Sequence, residues 1–206
     1  LFNQFYDSEA RTDEHIFQLD YTNPINKMHS FDFGGKYILR NNKSESDYYK
    51  RSVTQNDFYL DNRPESHYQQ THNILAAYAD YMVKTKKLSA KAGVRYEHTF
   101  SDVKYDKMAE KNFSAGFDNI VPSVRFGYQL APSKMLSFSY HMRIARPNIE
   151  LLNPFRNTSN PTSISYGNPD LDPAKSHRFG LTINSFAQKF STNISLNYRL
   201  VNNSIQ

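Results

Sequence analysis

Polar and apolar residues alternate along most of this chain with a period of two, and helical periodicity is nearly absent. Such alternation predicts strands with one apolar and one polar face. A first strand spans Glu14 to Thr22, with Phe17, Leu19 and Tyr21 on one side. A second spans Met28 to Arg40. It sets Phe31, Phe33, Tyr37 and Leu39 against Ser30, Asp32, Lys36 and Arg40. His67 to Val83, Leu88 to Phe100, Pro122 to Leu130 and Leu136 to Arg143 repeat the pattern, as do Ser176 to Phe186 and Phe190 onward. About eight strands result, most of nine or more residues, the length that crosses a bilayer at a tilt.

The connections alternate in length. Short turns fall near Asn23, Lys84, Pro132 and Gln188. Long polar stretches run from Asn41 to about Ser66, from about Ser101 to Gly116, and through the Pro- and Asn-rich stretch that follows Arg143. The predicted fold is all-β, an antiparallel up-and-down meander forming part of an outer-membrane β-barrel. Short turns lie on the periplasmic side and long loops outside. The alternative is a soluble β-sandwich that binds a ligand through its loops. Strand length favours the barrel, because sandwich strands usually run five or six residues. The polar faces, rich in Gly, Ser, Thr and Asn, suit a crowded lumen better than a solvated surface.

Composition narrows the choice. There is no cysteine, which excludes disulfide scaffolds, thiolate metal sites and cysteine nucleophiles. Tyr and Phe number 15 each, while the mean hydropathy is −0.73. No apolar run of about eighteen residues occurs, so a helical membrane span is excluded and a barrel is not. Tyr37, Tyr81, Tyr96, Phe100, Tyr140, Phe179, Phe190 and Tyr198 lie toward strand ends on the apolar face, where an aromatic girdle would meet the lipid headgroups. The net charge of +5 is scattered rather than gathered in a stripe, which argues against nucleic acid as a partner. Leu1 to His15 lack the order of a signal peptide, so any export signal is expected outside this sequence.

The segments YHMRIARPNIELLNPF and YGNPDLDPAKSHRFGLTINSF carry Arg143, Arg146-Pro147, Leu152-Asn153-Pro154-Phe155, Gly167-Asn168-Pro169, Leu171 and Pro173 in order. This series resembles the C-terminal half of the barrel in TonB-dependent outer-membrane receptors, in the branch described as an outer-membrane β-barrel family. Ala92 to Thr99 and Pro122 to Tyr128 are similar to barrel strands of that family. The resemblance implies location in the bacterial outer membrane and a role in uptake of a glycan, siderophore or peptide. It also implies about twenty-two strands, a plug domain and a TonB-contacting segment. Residues 1–206 are therefore expected to be a partial transmembrane barrel domain without plug or TonB contact. The implied partners are outer-membrane lipid and the remainder of the receptor, with TonB reached only through that remainder. Open sheet edges could also pair with another copy.

Candidate binding residues follow from facing. Arg40, Arg95, Arg125, Arg143, Arg178 and Arg199 all fall on the polar face, toward the outer ends of their strands with Arg125 deeper. They form either a basic lining that attracts an anionic ligand or a set of structural ion pairs with Glu97, Asp80, loop acids or a plug. In the long polar stretches Tyr48, Tyr49, Phe155, Arg156 and Tyr166 are candidate ligand contacts, because rings beside amides and hydroxyls can stack on and hydrogen-bond a ligand. No cofactor, metal or catalytic residue is predicted. His67 and His72 would face opposite ways on a strand, and no nucleophile elbow or phosphate-binding glycine loop occurs.

Overall fold

A computed structural model describes residues 4–51, 57–61, 67–152, 157–160, 163–168, 170–186 and 190–203. Its strands are β1 (Gln4–Pro24), β2 (His29–Arg51), β3 (Phe58–Asp61), β4 (His67–Lys84), β5 (Leu88–Tyr105), β6 (Phe113–Ala131) and β7 (Lys134–Ala145). After β7 come a one-turn helix α1 (Ile149–Leu152), the short strands β8 (Asn157–Asn160) and β9 (Ser163–Ser165), and the long strands β10 (Ala174–Phe186) and β11 (Ser191–Asn202). One antiparallel sheet runs β1-β2-β4-β5-β6-β7-β10-β11, with β3 paired to the outer end of β2. β8 and β9 pair separately as a small hairpin.

No second layer covers the apolar face of this sheet among the described residues, so the sandwich alternative does not describe it. Leu19, Ile120 and Leu196 are 77%, 63% and 69% exposed and point outward from the sheet. Most buried strand residues lie on the opposite face, among them Ile74, Ala76, Glu97, Thr99, Ser101, Phe117 and Asn119. In a soluble protein that distribution would be inverted. In a barrel wall it is required, because lipid takes the place of a core.

The apolar belt cuts diagonally across the strand ladder. Phe17 on β1 is paired through Tyr37, Leu75 and His98 to Asp118 on β6, so one paired row begins in hydrocarbon and ends in a carboxylate. Strands tilted against the barrel axis produce this offset. Within the belt, Tyr140, Phe179 and Tyr198 stand side by side, with ring centroids 4.8 and 6.2 Å apart.

The turn ends are tied together by backbone bonds between neighbouring hairpins. Lys84 N donates to Met28 O at 2.7 Å, Gln129 N to Lys87 O at 2.8 Å, and Phe186 N to Ser133 O at 2.8 Å. Asn26 closes the first turn, its side-chain oxygen accepting from the Met28 and His29 amides at 2.8 and 2.9 Å. The fourth turn, near Gln188, lies outside the described residues.

The other end differs from the sequence reading. The polar stretches after Asn41 and Ser101 are strand over much of their length, since β2 continues to Arg51, β5 to Tyr105, and β6 begins at Phe113. β1 likewise begins well before Glu14. The β2 extension is largely polar on both faces, while on β5 and β6 the apolar side chains Val103, Tyr105, Ala115 and Phe117 lie on the inward face and are buried, so along these extensions the outward apolar alternation stops while the ladder continues. Cross-strand side-chain bonds hold them, such as Ser8 Oγ to Ser46 Oγ at 2.8 Å, Thr12 Oγ1 to Asn42 Oδ1 at 2.9 Å and Gln70 Nε2 to Ser101 Oγ at 2.9 Å. At about 3.3 Å per residue, strands of this length pass through a bilayer and project beyond it.

Candidate functional site

The inward face is built from one polar residue every second position, and the register decides which of them meet. On β1, β2, β4 and β5 the charges neutralise one another. Arg40 Nε donates to Glu14 Oε2 at 2.6 Å. The Lys91 ammonium sits 3.1 Å from Asp32 and 3.2 Å from Asp80. Gly93 makes room for that cluster, because a Cβ there would collide with the Asp80 carboxylate. Asp20 is held by Gln18 at 2.7 Å and by the Tyr78 hydroxyl.

Glu97 is the centre of the next group. Its residue is 8% exposed, and its carboxylate lies 2.6 Å from Arg95 Nε and also takes the Arg146 guanidinium. Arg146 additionally donates from Nε to Thr99 Oγ1 at 2.9 Å. Arg146 is not on a barrel strand. It lies just past β7, at the start of the long outer segment, and reaches back across the sheet to the wall at β5. The segment is therefore folded inward. Leu152 of α1 is buried against Ala115 and Phe117, with Phe113 and Leu171 alongside. Asn148 caps α1 by accepting from the Leu151 amide at 3.0 Å. Asn168 N in turn donates to Leu151 O at 2.7 Å. The Arg-Pro and Gly-Asn-Pro motifs thus fold one stretch against the lumenal wall. Sequence parity could not reveal Arg146 as the anchor, since it lies outside every alternating run. The only signal was its place in the Arg-Pro motif.

The six candidate arginines divide accordingly. Arg40 and Arg95 are neutralised by Glu14 and Glu97. Arg125, Arg143, Arg178 and Arg199 lie on β6, β7, β10 and β11, with no carboxylate in ion-pair distance among the described residues. The register brings these four together. Arg178 is paired with His141 on one side and with Arg199 on the other, while Arg125 stands opposite Ser139 and Arg143 opposite Ser176. Arg199 Nε donates to Ser176 Oγ at 3.0 Å. Arg178 Nε is shielded from solvent yet has no hydrogen-bond partner among the described residues.

The candidate loop contacts are spread out. Tyr48 and Tyr49 are half-buried on the projecting end of β2 rather than on a loop, opposite Asp61 and Leu60 of β3. Tyr166, 71% exposed, follows β9. Phe155 and Arg156 lie outside the described residues. On the outward side of the projecting strands, donor atoms of Glu45, His67 and Asp106 fall within 4.8 Å of one another, a grouping that sequence spacing did not suggest. Glu45 is held by Lys43 at 2.6 Å and His67 by Asp47 at 3.0 Å. The Lys43 hydrogen bond and charge hold the Glu45 carboxyl below its ordinary range, and Glu45 raises Lys43 in return.

A single curved sheet with exposed apolar side chains outside, polar side chains inside and long strands joined by short turns at one end defines the wall of an outer-membrane β-barrel. The chain belongs to the outer membrane protein beta-barrel family, whose model matches residues 2–206. It is an outer-membrane protein. Among solved structures it is similar to the copper transporter OprC, at a TM-score of 0.72 and 14% identity, over 95% of this chain and 31% of that one. The ferric yersiniabactin uptake receptor FyuA from Yersinia pestis matches at a TM-score of 0.65 and 16% identity, over 98% of this chain and 30% of that one. The ferric citrate transporter FecA gives 0.62 and 12%, over 90% and 27%. No curated protein sequence matches the chain. The chain thus spans about a third or less of the length of these structures. At these identities the likeness concerns the fold, and it agrees with the resemblance to TonB-dependent receptor barrels carried by the Arg-Pro and Gly-Asn-Pro series.

Proposed function

We propose that this chain is one part of the barrel wall of a TonB-dependent outer-membrane receptor that takes up a ligand such as a siderophore, glycan or peptide. The observation that carries this reading is the outer segment folded onto the lumenal wall, with Arg146 on Glu97 and Leu152 in its pocket. A receptor needs ordered groups at its entrance, and the anchored segment supplies them. Residues 1–206 act as a partial barrel domain, and energy coupling belongs to the remainder of the receptor. In this reading Tyr166 and the projecting end of β2 with Tyr48 and Tyr49 make first contact with the cargo. Arg125, Arg143, Arg178 and Arg199 line its way inward and favour an anionic one.

Uptake by cells producing the complete receptor tests this reading, with labelled ferric chelates, oligosaccharides and oligopeptides as the panel. The expected result is accumulation of one class that stops when a protonophore collapses the membrane potential. For an anionic cargo, Arg143→Gln with Arg178→Gln should reduce the rate about tenfold or more, since hydrogen bonds to charged groups contribute about 1.5–3 kcal/mol. Entry of every class at a rate indifferent to the protonophore would indicate a passive pore instead.

A further inference from the structure

We infer that the inward face of β6, β7, β10 and β11 forms a site for a multivalent oxyanion, one bearing two or more carboxylate or phosphate groups. The inference rests on the receptor reading and names the chemistry of one of its sites. Three observations lead to it.

The first is a charge imbalance across the sheet. Lumenal acids occur on β1, β2, β4 and β5, and each is already engaged: Glu14 by Arg40, Asp20 by Gln18 and Tyr78, Asp32 and Asp80 by Lys91, and Glu97 by two arginines. The four strands from β6 to β11 that complete the sheet contain one acid, Asp118. It points outward, where it bonds Tyr96 and His98 at 2.6 and 2.8 Å. The four arginines on this half therefore have no negative charge to meet within the wall. Four like charges gathered on one face raise the local positive potential, and a bound anion is the direct way to offset it.

The second is shape. Two depressions of about 380 and 410 Å³ lie side by side on this face. They share Ser139 and Gly180 as their common floor. Lys91 and Arg125 border one of them, and His141, Arg178 and Arg199 border the other. Gly180 keeps the floor low. A Cβ there would come within 2.9 Å of Ser139 Oγ and 3.3 Å of Asn197 Oδ1, so a larger residue would crowd the polar groups that converge on it.

The third is spacing. Arg125 stands one paired row from Arg178 and Arg199, and Arg143 one row beyond them. Rows on one face of a strand are about 6.6 Å apart, and neighbouring strands about 4.8 Å. Arg178 and Arg199, on neighbouring strands, stand close enough to share one anionic group, and Arg125 and Arg143 stand one row to either side of that pair. They match a molecule that carries several anionic groups on a short frame. Arg178 lines one of the depressions, and its Nε is a shielded donor without a partner among the described residues.

The test uses the complete receptor in detergent micelles, with tricarballylate and inorganic pyrophosphate as probes and titration calorimetry as the readout. Saturable binding of at least one probe is expected. Arg125→Gln and Arg178→Gln should each weaken it about tenfold or more, while Lys86→Gln in the β4–β5 turn leaves it unchanged. Absence of saturable binding by the wild type would overturn the inference, as would binding indifferent to both arginine variants. A third outcome would overturn it as well. If neither probe binds and the two glutamine variants lower the thermal unfolding temperature, the arginines are paired with carboxylates of the receptor itself. The uptake assay reads separately. Anion binding without energised uptake would defeat the receptor reading and keep the site, and energised uptake without anion binding would do the reverse.

Discussion

Val94→Arg should destabilise the folded barrel by about 2–4 kcal/mol, the cost of an arginine on the lipid face near the bilayer midplane. Val94 is 48% exposed and sits midway along the outward run from Leu88 to Phe100 on β5, with Ala79 and Pro122 beside it. Neither direct neighbour offers an acceptor for the guanidinium. Ser114→Arg provides the contrast. Ser114 faces outward above the belt, opposite Asp102, where the cost should be no more than about 1 kcal/mol. Equilibrium unfolding in urea from lipid vesicles measures both. Equal costs at the two positions would mean that water, rather than lipid, meets the face at Val94.

Glu97→Leu should be the most damaging single change on the inward face. It removes the one carboxylate shared by Arg95 and Arg146 and leaves both guanidinium groups beside a shielded apolar side chain. Breaking a buried ion pair from one side costs about 3–5 kcal/mol. Arg146→Met should cost less, because Glu97 keeps Arg95. Both variants should free the segment from Pro147 to Pro173 from the wall, and limited proteolysis in that stretch should speed up in each. An unfolding midpoint for Glu97→Leu equal to that of the wild type would show that the loop anchor contributes nothing to stability.

The membrane-crossing parts of the strands were legible because lipid permits only apolar groups on one face, and that constraint writes a period of two into the sequence. The projecting ends were not. From Asn41 to Arg51 polar groups occupy both faces, and from Ser101 to Tyr105 the apolar side chains Val103 and Tyr105 switch to the inward face and are buried there, so the outward hydrophobic signature ends. Parity placed all six candidate arginines on the inward face. It could not separate the neutralised from the unneutralised, because that depends on which strands are neighbours. Arg40 meets Glu14 from 26 residues away, and Arg146 meets Glu97 from 49. Those partnerships exist only once the ladder has a register. The Pro- and Asn-rich segment after β7 read as an outer loop. Its inward fold depends on Leu152 finding Ala115 and Phe117, a contact between distant elements with no local pattern.

The most direct measurement is nitroxide accessibility along β10. The chain has no native cysteine, so single cysteines at positions 178 to 183 can each carry one label without background. Phe179, Leu181 and Ile183 point outward, while Arg178, Gly180 and Thr182 point to the lumen. In lipid vesicles, labels at 179, 181 and 183 should be open to dissolved oxygen and closed to a polar nickel chelate. Labels at 178, 180 and 182 should show the opposite. A strict alternation between the two relaxation agents is the predicted result. Uniform access to the nickel chelate at all six positions would contradict a barrel wall with lipid on one side.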